Sequence, residues 1–417
     1  MRADALAVAE AGLEAIDTAA AVRRAVRLEG RRLTVGGTAV ALEPGGRLLL
    51  VAVGKCATAA AAALREVLGG RLDGGIALDV DGAAAADLGP VVSLRGTHPL
   101  PSACNVAASR AIVELVGAAT ARDLVLCVVS GGGSTLLCLP PEGASPDAES
   151  AAVAALLRAG ASIREINTIR KHTSLARGGQ LAARAFPARV VSLVFSDVPG
   201  APLDWVASGP TLPDATTVED AARVLAHYGI GPDAAPGLVL VETPKARALF
   251  DGALVHLAVS NEVALGAMAG RAGALGYAAT VVTATLDGEA REAGGRVVRE
   301  LRASPPGTAR LYGGETTVTV RGRGTGGRNQ EVALSALRRV GAGEIVLALA
   351  SDGRDNGDAA GALADVPARE KAALHGLDPD ACLADNDSGA FFERTGDRLL
   401  TGATGANVAD LVVALKR

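Results

Sequence analysis

At 417 residues the chain exceeds one ordinary hydrophobic core, so two domains are expected. Its 49% hydrophobic and 21% charged residues are typical of a globular protein and exclude a disordered one. The net charge of -4 and the aromatic content of only 2% argue against a nucleic-acid partner, which would favour basic surfaces and stacking side chains.

The first twenty residues predict an amphipathic helix rather than a signal peptide, because acidic residues recur and the basic start and apolar centre of a leader are absent. The longest uncharged run, 124–141, contains three successive glycines and ends in two prolines. It favours a buried strand, a loop and a short helix over a membrane span. Five cysteines without a C-x-x-C pair indicate neither a disulfide framework nor a structural zinc site. We therefore expect a cytoplasmic protein without a membrane partner.

Alternating strand and helix patterns predict an α/β fold in the first half of the chain. Residues 47–53 form an apolar strand that runs through Gly54 into Lys55, and an alanine-rich helix then extends to Leu68. A lysine at the carboxyl end of such a strand sits where open α/β sheets bind ligands, although a lysine capping a strand on the surface fits equally well. Further strands are predicted at 76–80, 91–94, 124–129 and 190–195, and helices at 105–119 and 151–160.

A loop of glycines between serines follows the strand predicted at 124–129, in the order Ser130, Gly131, Gly132, Gly133 and Ser134. The glycines expose successive N–H groups at a helix start and the serines supply hydroxyls, which would cradle a carboxylate or a phosphate. The lysine of a P-loop is absent, and the same residues could form only a tight turn.

Basic and acidic residues near the middle of the chain add candidates. Arg170, Lys171 and Arg177 put three cations in a short span, which in an acidic protein favours convergence on an anion over a solvated basic face. Asp197 follows the strand predicted at 190–195. It is a candidate magnesium ligand or catalytic base, although aspartate often serves as a turn residue or helix N-cap at such places.

Beyond a loose linker at 229–244, the pattern restarts and leads to a corner rich in glycine and arginine. The predicted order is strand 254–259, helix 262–275, strand 279–286, helix 289–303, strand 315–320 and helix 329–337. Glycines at 322, 324, 326 and 327 would let the backbone approach a ligand, and Arg321, Arg323 and Arg328 add positive charge beside a helix N-terminus. An anionic ligand is therefore expected.

Two alternatives remain open for this corner. Gly322-x-Gly324-x-x-Gly327 matches the dinucleotide fingerprint, and Asp352, after a strand predicted at 345–350, has about the offset of a ribose-binding acid. Three arginines suit phosphoryl or carboxylate oxygens better than a nicotinamide dinucleotide. The other alternative is a glycine-rich turn with solvated arginines.

The last part of the chain holds two more loops. Asp352, Asp355 and Asp358 lie in a glycine-rich loop that could bind a divalent cation, without the spacing of an EF-hand. Residues 399–407 form a further glycine and hydroxyl turn, which predicts a closing helix after it.

The order of these motifs resembles the class II glycerate kinases, the glycerate 2-kinase family, whose C-terminal part is called the MOFRL domain. From about Val51 onward the motifs are VGKCA, GTHPLP, VVSGGGSTLL, EINTIRKHTSLARGGQLA, SDVPG with ASGPTLPD, GGETTVTVRGRGTGGRNQE, SDGRDNGDAAGA, ADNDS and TGATGANV. Departures include Cys56, where alanine is commoner, Arg177, where lysine is commoner, and Ala201-Pro202, where an acidic pair is usual.

The resemblance implies two α/β domains with mainly parallel sheets, Rossmann-like and MOFRL-type, and an active site in the inter-domain cleft. Expected bounds are 1–235 and 236–417, with the MOFRL domain at about 309–417. The implied reaction transfers the ATP γ-phosphoryl group to the 2-hydroxyl of D-glycerate with Mg²⁺; an NAD(P)-dependent hydroxypyruvate reductase is the alternative. A monomer or small homo-oligomer is expected.

The candidate residues fall into three groups. Lys55 and Arg328 match the family's lysine and arginine of the active-site cleft, and with Asp197 they are the candidate catalytic residues. Asp197 and Asp352 are candidate metal ligands. Substrate or nucleotide binding is expected of Ser130, Gly131, Gly132, Gly133, Ser134, Asn167, Arg170, Lys171, Glu315, Gly326, Gly327 and Asn329.

Overall fold

The computed structural model describes residues 1–198, 200 and 202–417 and groups them into two compact units. The N-terminal unit comprises residues 21–196 and 202–258, and the C-terminal unit comprises 1–20, 197, 198, 200 and 259–417. The expected domain bounds, 1–235 and 236–417, stay a prediction, because a compact unit need not be a unit that folds alone. Within the described residues, no helix has the length and apolar character needed to cross a membrane.

The strands and helices alternate along most of the chain. The strands are β1 Val26–Glu29, β2 Arg32–Val35, β3 Thr38–Ala41, β4 Leu48–Val53, β5 Gly74–Val80, β6 Val91–Gly96, β7 Leu124–Ser130, β8 Arg189–Phe195, β9 Leu254–Val259, β10 Ala278–Leu286, β11 Thr308–Gly314, β12 Glu344–Ala350, β13 Gly361–Ala364, β14 Arg398–Leu399 and β15 Asp410–Lys416. The helices are α1 Arg2–Ile16, α2 Thr18–Ala25, α3 Ala57–Leu68, α4 Ala103–Gly117, α5 Gly133–Leu136, α6 Pro146–Arg158, α7 Ile163–His172, α8 Gln180–Ala185, α9 Val218–His227, α10 Asn261–Ala274, α11 Ala290–Arg302, α12 Arg328–Leu337, α13 Val366–Leu374, α14 Pro379–Ala384 and α15 Ser388–Thr395.

The main sheet of the N-terminal unit has the strand order β6-β5-β4-β7-β8-β9. The pairs β5–β6, β4–β5, β4–β7 and β7–β8 are parallel, and every residue of the central strands β4 and β7 is buried. Helices therefore cover both faces, as in other parallel sheets. The chain leaves β4 toward one side of the sheet and β7 begins the other side, so the edge where β4 and β7 end is the topological switch point.

A small antiparallel sheet, β1-β2-β3, was not foreseen from the sequence. Its three strands have four residues each and mix exposed with buried positions. Such short strands leave too little periodicity to recognise.

The C-terminal sheet has the order β10-β11-β15-β12-β13-β14. The pair β10–β11 is parallel, whereas β15 pairs antiparallel with both β11 and β12, as does β13 with β12 and with β14. The α/β class and the two-part organisation are confirmed; this second sheet holds more antiparallel pairs than mainly parallel sheets would imply.

Two predicted elements of the C-terminal unit are wrong. The closing helix is strand β15, whose first six residues are all buried; a short apolar run covered on both faces lacks the alternation that separates a strand from a helix. Residues 315–320 form no regular strand, and β11 ends before them at Gly314. The Thr317 N–H donates to the Gly288 carbonyl oxygen and the Thr319 N–H to the Glu289 carboxylate, so the segment follows the loop before α11.

The opening helix belongs to the C-terminal unit. Arg2 donates to the Asp365 carboxylate at 2.6 Å and to the Asp397 carboxylate at 2.8 Å, and Asp4 accepts from the Tyr277 hydroxyl at 2.7 Å. These bonds attach α1 to elements more than 270 positions away in the sequence. The start of the chain is thus part of the unit that contains its end.

Candidate functional site

Lys55 lies at the switch point of the N-terminal sheet, directly after β4. Its N–H donates to the Gly131 carbonyl oxygen at 2.9 Å, which joins the loop after β4 to the loop after β7. Its side chain runs over Gly132, because a Cβ built there would lie 3.1 Å from Lys55 Cγ. Lys55 is exposed, and among the residues that the structure describes its Nζ has no hydrogen bond or ion pair.

The glycine loop after β7 is shaped by contacts with the protein itself. The Ser130 hydroxyl is buried and, among the described residues, bonds only to backbone groups: it donates to the Val53 carbonyl oxygen and accepts from the Cys56 N–H. A Cβ on Gly133 would lie 2.5 Å from the Ala207 Cβ. The helix that follows, α5, has only four residues, so its dipole adds little to a ligand site. Ser134 remains as the loop residue with a partly exposed hydroxyl.

A chain of hydroxyls connects Ser134 to helix α7. Its Oγ lies 2.9 Å from the Ser208 Oγ, and the Ser208 hydroxyl donates to Asn167 Oδ1, also at 2.9 Å. Asn167 is 4% exposed, and no described residue bonds its Nδ2. Ser208 was missed in the sequence because a serine in a turn carries no signal of its own.

Ser208 belongs to a strained segment, Ala207-Ser208, which we call the locked turn. Both residues have positive φ, 50° and 57°, a conformation that costs free energy for residues other than glycine. The N–H of Gly178 donates to the Ser208 carbonyl oxygen at 2.9 Å, and the N–H of Gly179 to that of Gly209 at 2.8 Å. These two bonds hold the backbone that presents the Ser208 hydroxyl to Ser134.

Arg170 lies one turn beyond Asn167 on α7 and is a partly buried cation. Burial lowers the pKa of Arg170, and the neighbouring positive charge of Arg177 lowers it further, against the opposite effect of Glu149. Within the described part of the chain, its guanidinium has no hydrogen bond or ion pair. A desolvated guanidinium without a partner favours an anionic ligand. We call Lys55 Nζ, the Arg170 guanidinium and Asn167 Nδ2 the open donors.

Arg177 is a buried residue that holds the backbone of the glycine loop in place. It is 0% exposed, and its Nη1 donates to Glu149 Oε1 and to the Ser134 carbonyl oxygen, both at 2.8 Å. Its Nη2 also donates to Glu149. The paired guanidinium fixes the backbone of Ser134 and is not available to a ligand.

Lys171 differs from its predicted role in substrate binding. Its ammonium is buried and donates to the Asp204 carboxylate at 2.6 Å and to the Asp214 carboxylate at 3.1 Å. Asp204 belongs to the 3-10 turn Leu203–Ser208, so the lysine ties this turn to α7. In this geometry Lys171 positions Ser208 and its charge is already neutralised.

Arg328, at the start of α12 in the C-terminal unit, is held by two carboxylates. Its Nε donates to Asp410 Oδ2 at 2.6 Å and its Nη2 to Asp410 Oδ1 at 3.1 Å, while Nη1 donates to Glu315. Burial raises the pKa of Asp410 to about 6, against the lowering effect of Arg328. Asp410 was not singled out in the sequence, where a closing helix was predicted after residues 399–407.

The N-terminus of α12 is occupied by a carboxylate of the protein. The Asn329 and Gln330 N–H groups donate to Asp355 at 3.0 and 2.8 Å, and Asn329 Nδ2 bonds both Asp355 and Asp410. Asp355 comes from the loop after β12 that was expected to bind a cation. These amides cannot also bind a phosphate, which corrects the prediction of an anion site at this helix terminus.

The glycines before α12 make room for protein rather than for a ligand. A Cβ on Gly322, Gly324 or Gly326 would lie 2.3 Å from an atom of the segment 385–388, and one on Gly327 would lie 2.2 Å from Asp355. The loop's N–H groups are bonded to the same segment: those of residues 321 and 322 to Asn386, of 323 and 324 to Asp385, and of 325 to Asp387. These amides are therefore not available to bind the pyrophosphate of a dinucleotide.

A cavity of about 560 Å³ opens beside this loop, which we call the glycine-loop cavity. Its lining comprises Thr316, Thr317, Val318, Val320, Gly324, Gly326, Gly327, Arg328, Glu331, Arg354, Asp355, Asn356, Asn386 and Ser388. It lies entirely in the C-terminal unit, next to the arginine singled out in the sequence. Arg321 and Arg323 are exposed and are not part of the lining.

The two candidate metal ligands, Asp352 and Asp197, each follow the end of a strand. Asp352 is partly exposed after β12, and its Oδ1 accepts from the Arg354 N–H at 2.9 Å. Asp197 is partly exposed after β8, while the proline and alanine at 199 and 201 in its motif lie outside the described residues. No three His, Cys, Asp or Glu side chains of the described residues are grouped to hold a metal ion. Single carboxylates fit a metal that takes most ligands from water and phosphates.

Two family models match the chain. Residues 4–239 match a domain of unknown function, DUF4147, and residues 308–410 match the MOFRL family.

Relatives and a solved structure extend the match. A D-glycerate 2-kinase of Thermotoga maritima is 40% identical over 380 residues, covering 88% of this chain and 90% of that protein. A glycerate 2-kinase of Pyrococcus horikoshii is 35% identical over 421 residues, covering 97% of this chain and 94% of that protein. The crystal structure of a glycerate kinase from Thermotoga maritima has a TM-score of 0.88 and 37% identity, covering 98% of each chain.

The buried network around Lys171 predicts how stability depends on pH. Burial alone would raise the pKa of Asp214, but bonds from His172 and Thr216 and the charge of Lys171 outweigh burial and lower it. The stabilisation by this network is therefore fully present above about pH 4, the pKa of an unfolded aspartate, and decreases as the pH falls from there toward the lowered pKa of folded Asp214. Asp214→Asn should lower the free energy of unfolding by about 1.5–3 kcal/mol at pH 7, the contribution of a hydrogen bond to a charged group, and the difference from wild type should shrink below pH 4.

Urea titrations followed by circular dichroism between pH 2 and 8 measure this difference. Asp233→Asn is the control, because Asp233 is exposed and has no side-chain partner among the described residues. Equal effects of the two substitutions at every pH would contradict a structural role for Asp214.

Proposed function

This chain belongs to the glycerate kinase family with a C-terminal MOFRL domain, and we propose that it is a glycerate 2-kinase. The reaction transfers the γ-phosphoryl group of ATP to the 2-hydroxyl of D-glycerate and releases ADP. The observation that carries the proposal for this chain is the set of open donors around the loop 131–134. Phosphoryl transfer between two anionic substrates needs positive charge that the protein has not already neutralised.

The small acid is assigned to the N-terminal unit. Arg170 and Asn167 Nδ2 donate to its carboxylate, because a planar guanidinium and an amide match two carboxylate oxygens. The Ser134 hydroxyl binds an oxygen of the same acid, and the buried Ser208 hydroxyl holds Ser134 and Asn167 in position for these contacts. The amides of Gly131 and Gly132 remain candidates for the same contact, whereas Ser130 acts through the backbone it holds.

Lys55 and Arg328 are assigned to the transferring phosphoryl group. The Lys55 side chain lies over Gly132, where no Cβ obstructs it, so its Nζ can approach a ligand. Its charge is uncompensated within the described residues. Arg328 keeps its bidentate bond to Asp410 and exchanges Glu315, whose side chain is 57% exposed, for a phosphoryl oxygen. Both cations then stabilise charge that spreads over the equatorial oxygens in the transition state.

Magnesium is proposed to enter with the nucleotide, where it neutralises phosphate charge when bound. Asp352 and Asp197 are the carboxylates proposed to hold it. Asp197 is also proposed to accept the proton that the 2-hydroxyl loses as its oxygen forms the bond to phosphorus. Each residue lies after the carboxyl end of a strand, where α/β sheets present their ligands.

A dinucleotide-dependent reductase is disfavoured by the loop that suggested it. The amides of residues 321 to 325 are bonded to the segment 385–387, and the Asn329 and Gln330 amides to Asp355. The fingerprint needs these groups for pyrophosphate.

The activity is tested by phosphorus NMR of the purified protein with D-glycerate and Mg-ATP. The expected spectrum shows ADP and 2-phosphoglycerate growing in equal amounts as ATP disappears. A 3-phosphoglycerate resonance would contradict the assigned position of attack. Unchanged ATP, with NADH oxidised in the presence of hydroxypyruvate, would favour the reductase.

Replacing Arg170 tests the carboxylate contact. Arg170→Ala should raise the KM for D-glycerate by about 10- to 100-fold, because a hydrogen bond to a charged group contributes about 1.5–3 kcal/mol. The KM for ATP should change little. Arg164→Ala on the same helix is the matched control, since Arg164 is exposed.

Steady-state kinetics with each substrate varied in turn separates the two effects. An unchanged KM for D-glycerate in Arg170→Ala, or an equal rise in Arg164→Ala, would contradict the assignment.

A further inference from the structure

Two hydroxyl residues that line the glycine-loop cavity, Thr316 and Ser388, have no side-chain hydrogen bond among the described residues, and the Thr316 hydroxyl is itself buried. Thr316 is 4% exposed, and within the described residues its Oγ1 has no hydrogen bond. Ser388 is 2% exposed and, in the same part of the chain, its Oγ also has none. Buried polar groups are normally hydrogen-bonded, and leaving one unpaired costs free energy. Both residues line the cavity, so a polar ligand there would satisfy them.

We propose that this cavity binds the adenosine part of ATP, with the phosphates directed to Arg328. The proposal rests on the kinase function proposed above and assigns the nucleotide to the C-terminal unit. A volume of about 560 Å³ lies in the range of small-molecule sites, about 300–1,000 Å³. Arg328 determines the direction in which the ligand lies, because its guanidinium attracts the phosphates.

Apolar contacts are available for the base. Val320 is 74% exposed although it is a large hydrophobic residue, and Val318 beside it is only partly buried against the core. Both valines line the cavity. An exposed valine in a concave site loses water contact when a flat ring covers it, which stabilises the complex. Aromatic residues make up only 2% of the chain, so aliphatic walls take the place of stacking rings.

The charges around the cavity do not oppose a nucleotide. Glu331 is paired with Arg291 at 3.2 Å and accepts from Asn386 Nδ2 at 3.1 Å, and Asp355 accepts from the start of α12. These two acids are therefore compensated within the protein. Arg354 is exposed at the cavity, and among the described residues its side chain has no partner. Arg354 can therefore approach the phosphates together with Arg328.

Binding of ADP by isothermal titration calorimetry tests the site directly. Val320→Glu places a carboxylate against the base and should weaken ADP affinity at least tenfold. Thr316→Val removes the unpartnered hydroxyl at constant shape, so it should weaken ADP affinity several-fold without lowering the melting temperature. In both variants the KM for D-glycerate should stay within twofold of wild type. Val92→Glu is the control, because Val92 is 56% exposed on β6 of the other unit.

The outcomes separate this proposal from the kinase assignment. If wild type phosphorylates D-glycerate while Val320→Glu and Thr316→Val bind ADP as tightly as wild type, the cavity is not the adenosine site and the kinase function stands. If wild type neither binds ADP nor phosphorylates D-glycerate, both proposals are overturned. Weaker ADP binding in Val320→Glu and Thr316→Val but not in Val92→Glu supports the site.

Discussion

The ion pair between Arg328 and Asp410 is the interaction on which the geometry of the C-terminal unit depends. A buried carboxylate is costly unless it is paired and hydrogen-bonded. Asp410 meets this requirement by accepting from Arg328 and Asn329, while its carbonyl oxygen accepts from Asn261 Nδ2 at 3.1 Å. Asp410 is the first residue of β15, the strand between β11 and β12. The last strand of the chain therefore fixes the direction of the arginine.

In the N-terminal unit, paired cations have a structural role and unpaired cations are available to a ligand. Lys171 and Arg177 are buried against carboxylates and hold the locked turn and the backbone of Ser134. Lys55 and Arg170 have no such partner among the described residues and can neutralise a ligand. A buried ion pair holds its side chains in one arrangement, because separating the pair would leave an uncompensated buried charge. Unpaired cations can instead attract the negative charge of a substrate and of the transition state.

The sequence predicted the parts of the molecule that depend on local pattern. Apolar runs ending in glycine located β4 and β7 and brought Lys55 and the loop 130–134 to the same edge. Partners distant in sequence could not be foreseen. Asp204 and Asp214 lie 33 and 43 positions from Lys171, and Asp410 lies 82 positions from Arg328. The residue type showed a cation in each case but not whether a carboxylate would neutralise it.

The same limit explains the glycine loop and the closing strand. A glycine indicates that another group approaches the backbone closely, but not whether that group is a ligand or another part of the protein. Here the segment 385–388 fills the space expected for a ligand. The strand β15 is buried on both faces, so its sequence lacks the alternation of a half-exposed strand. Both errors came from long-range packing, which a local sequence pattern does not show, and the proposed nucleotide site therefore lies in the cavity beside the glycine amides.

The most direct measurement is the turnover number of Arg328→Ala at saturating D-glycerate and Mg-ATP. With the fold verified by circular dichroism, kcat should fall by about 10²- to 10³-fold, as when a preorganised donor is removed from a transition state. Arg271→Ala, an exposed arginine on α10, should keep its kcat. A folded Arg328→Ala protein with wild-type kcat would contradict the account.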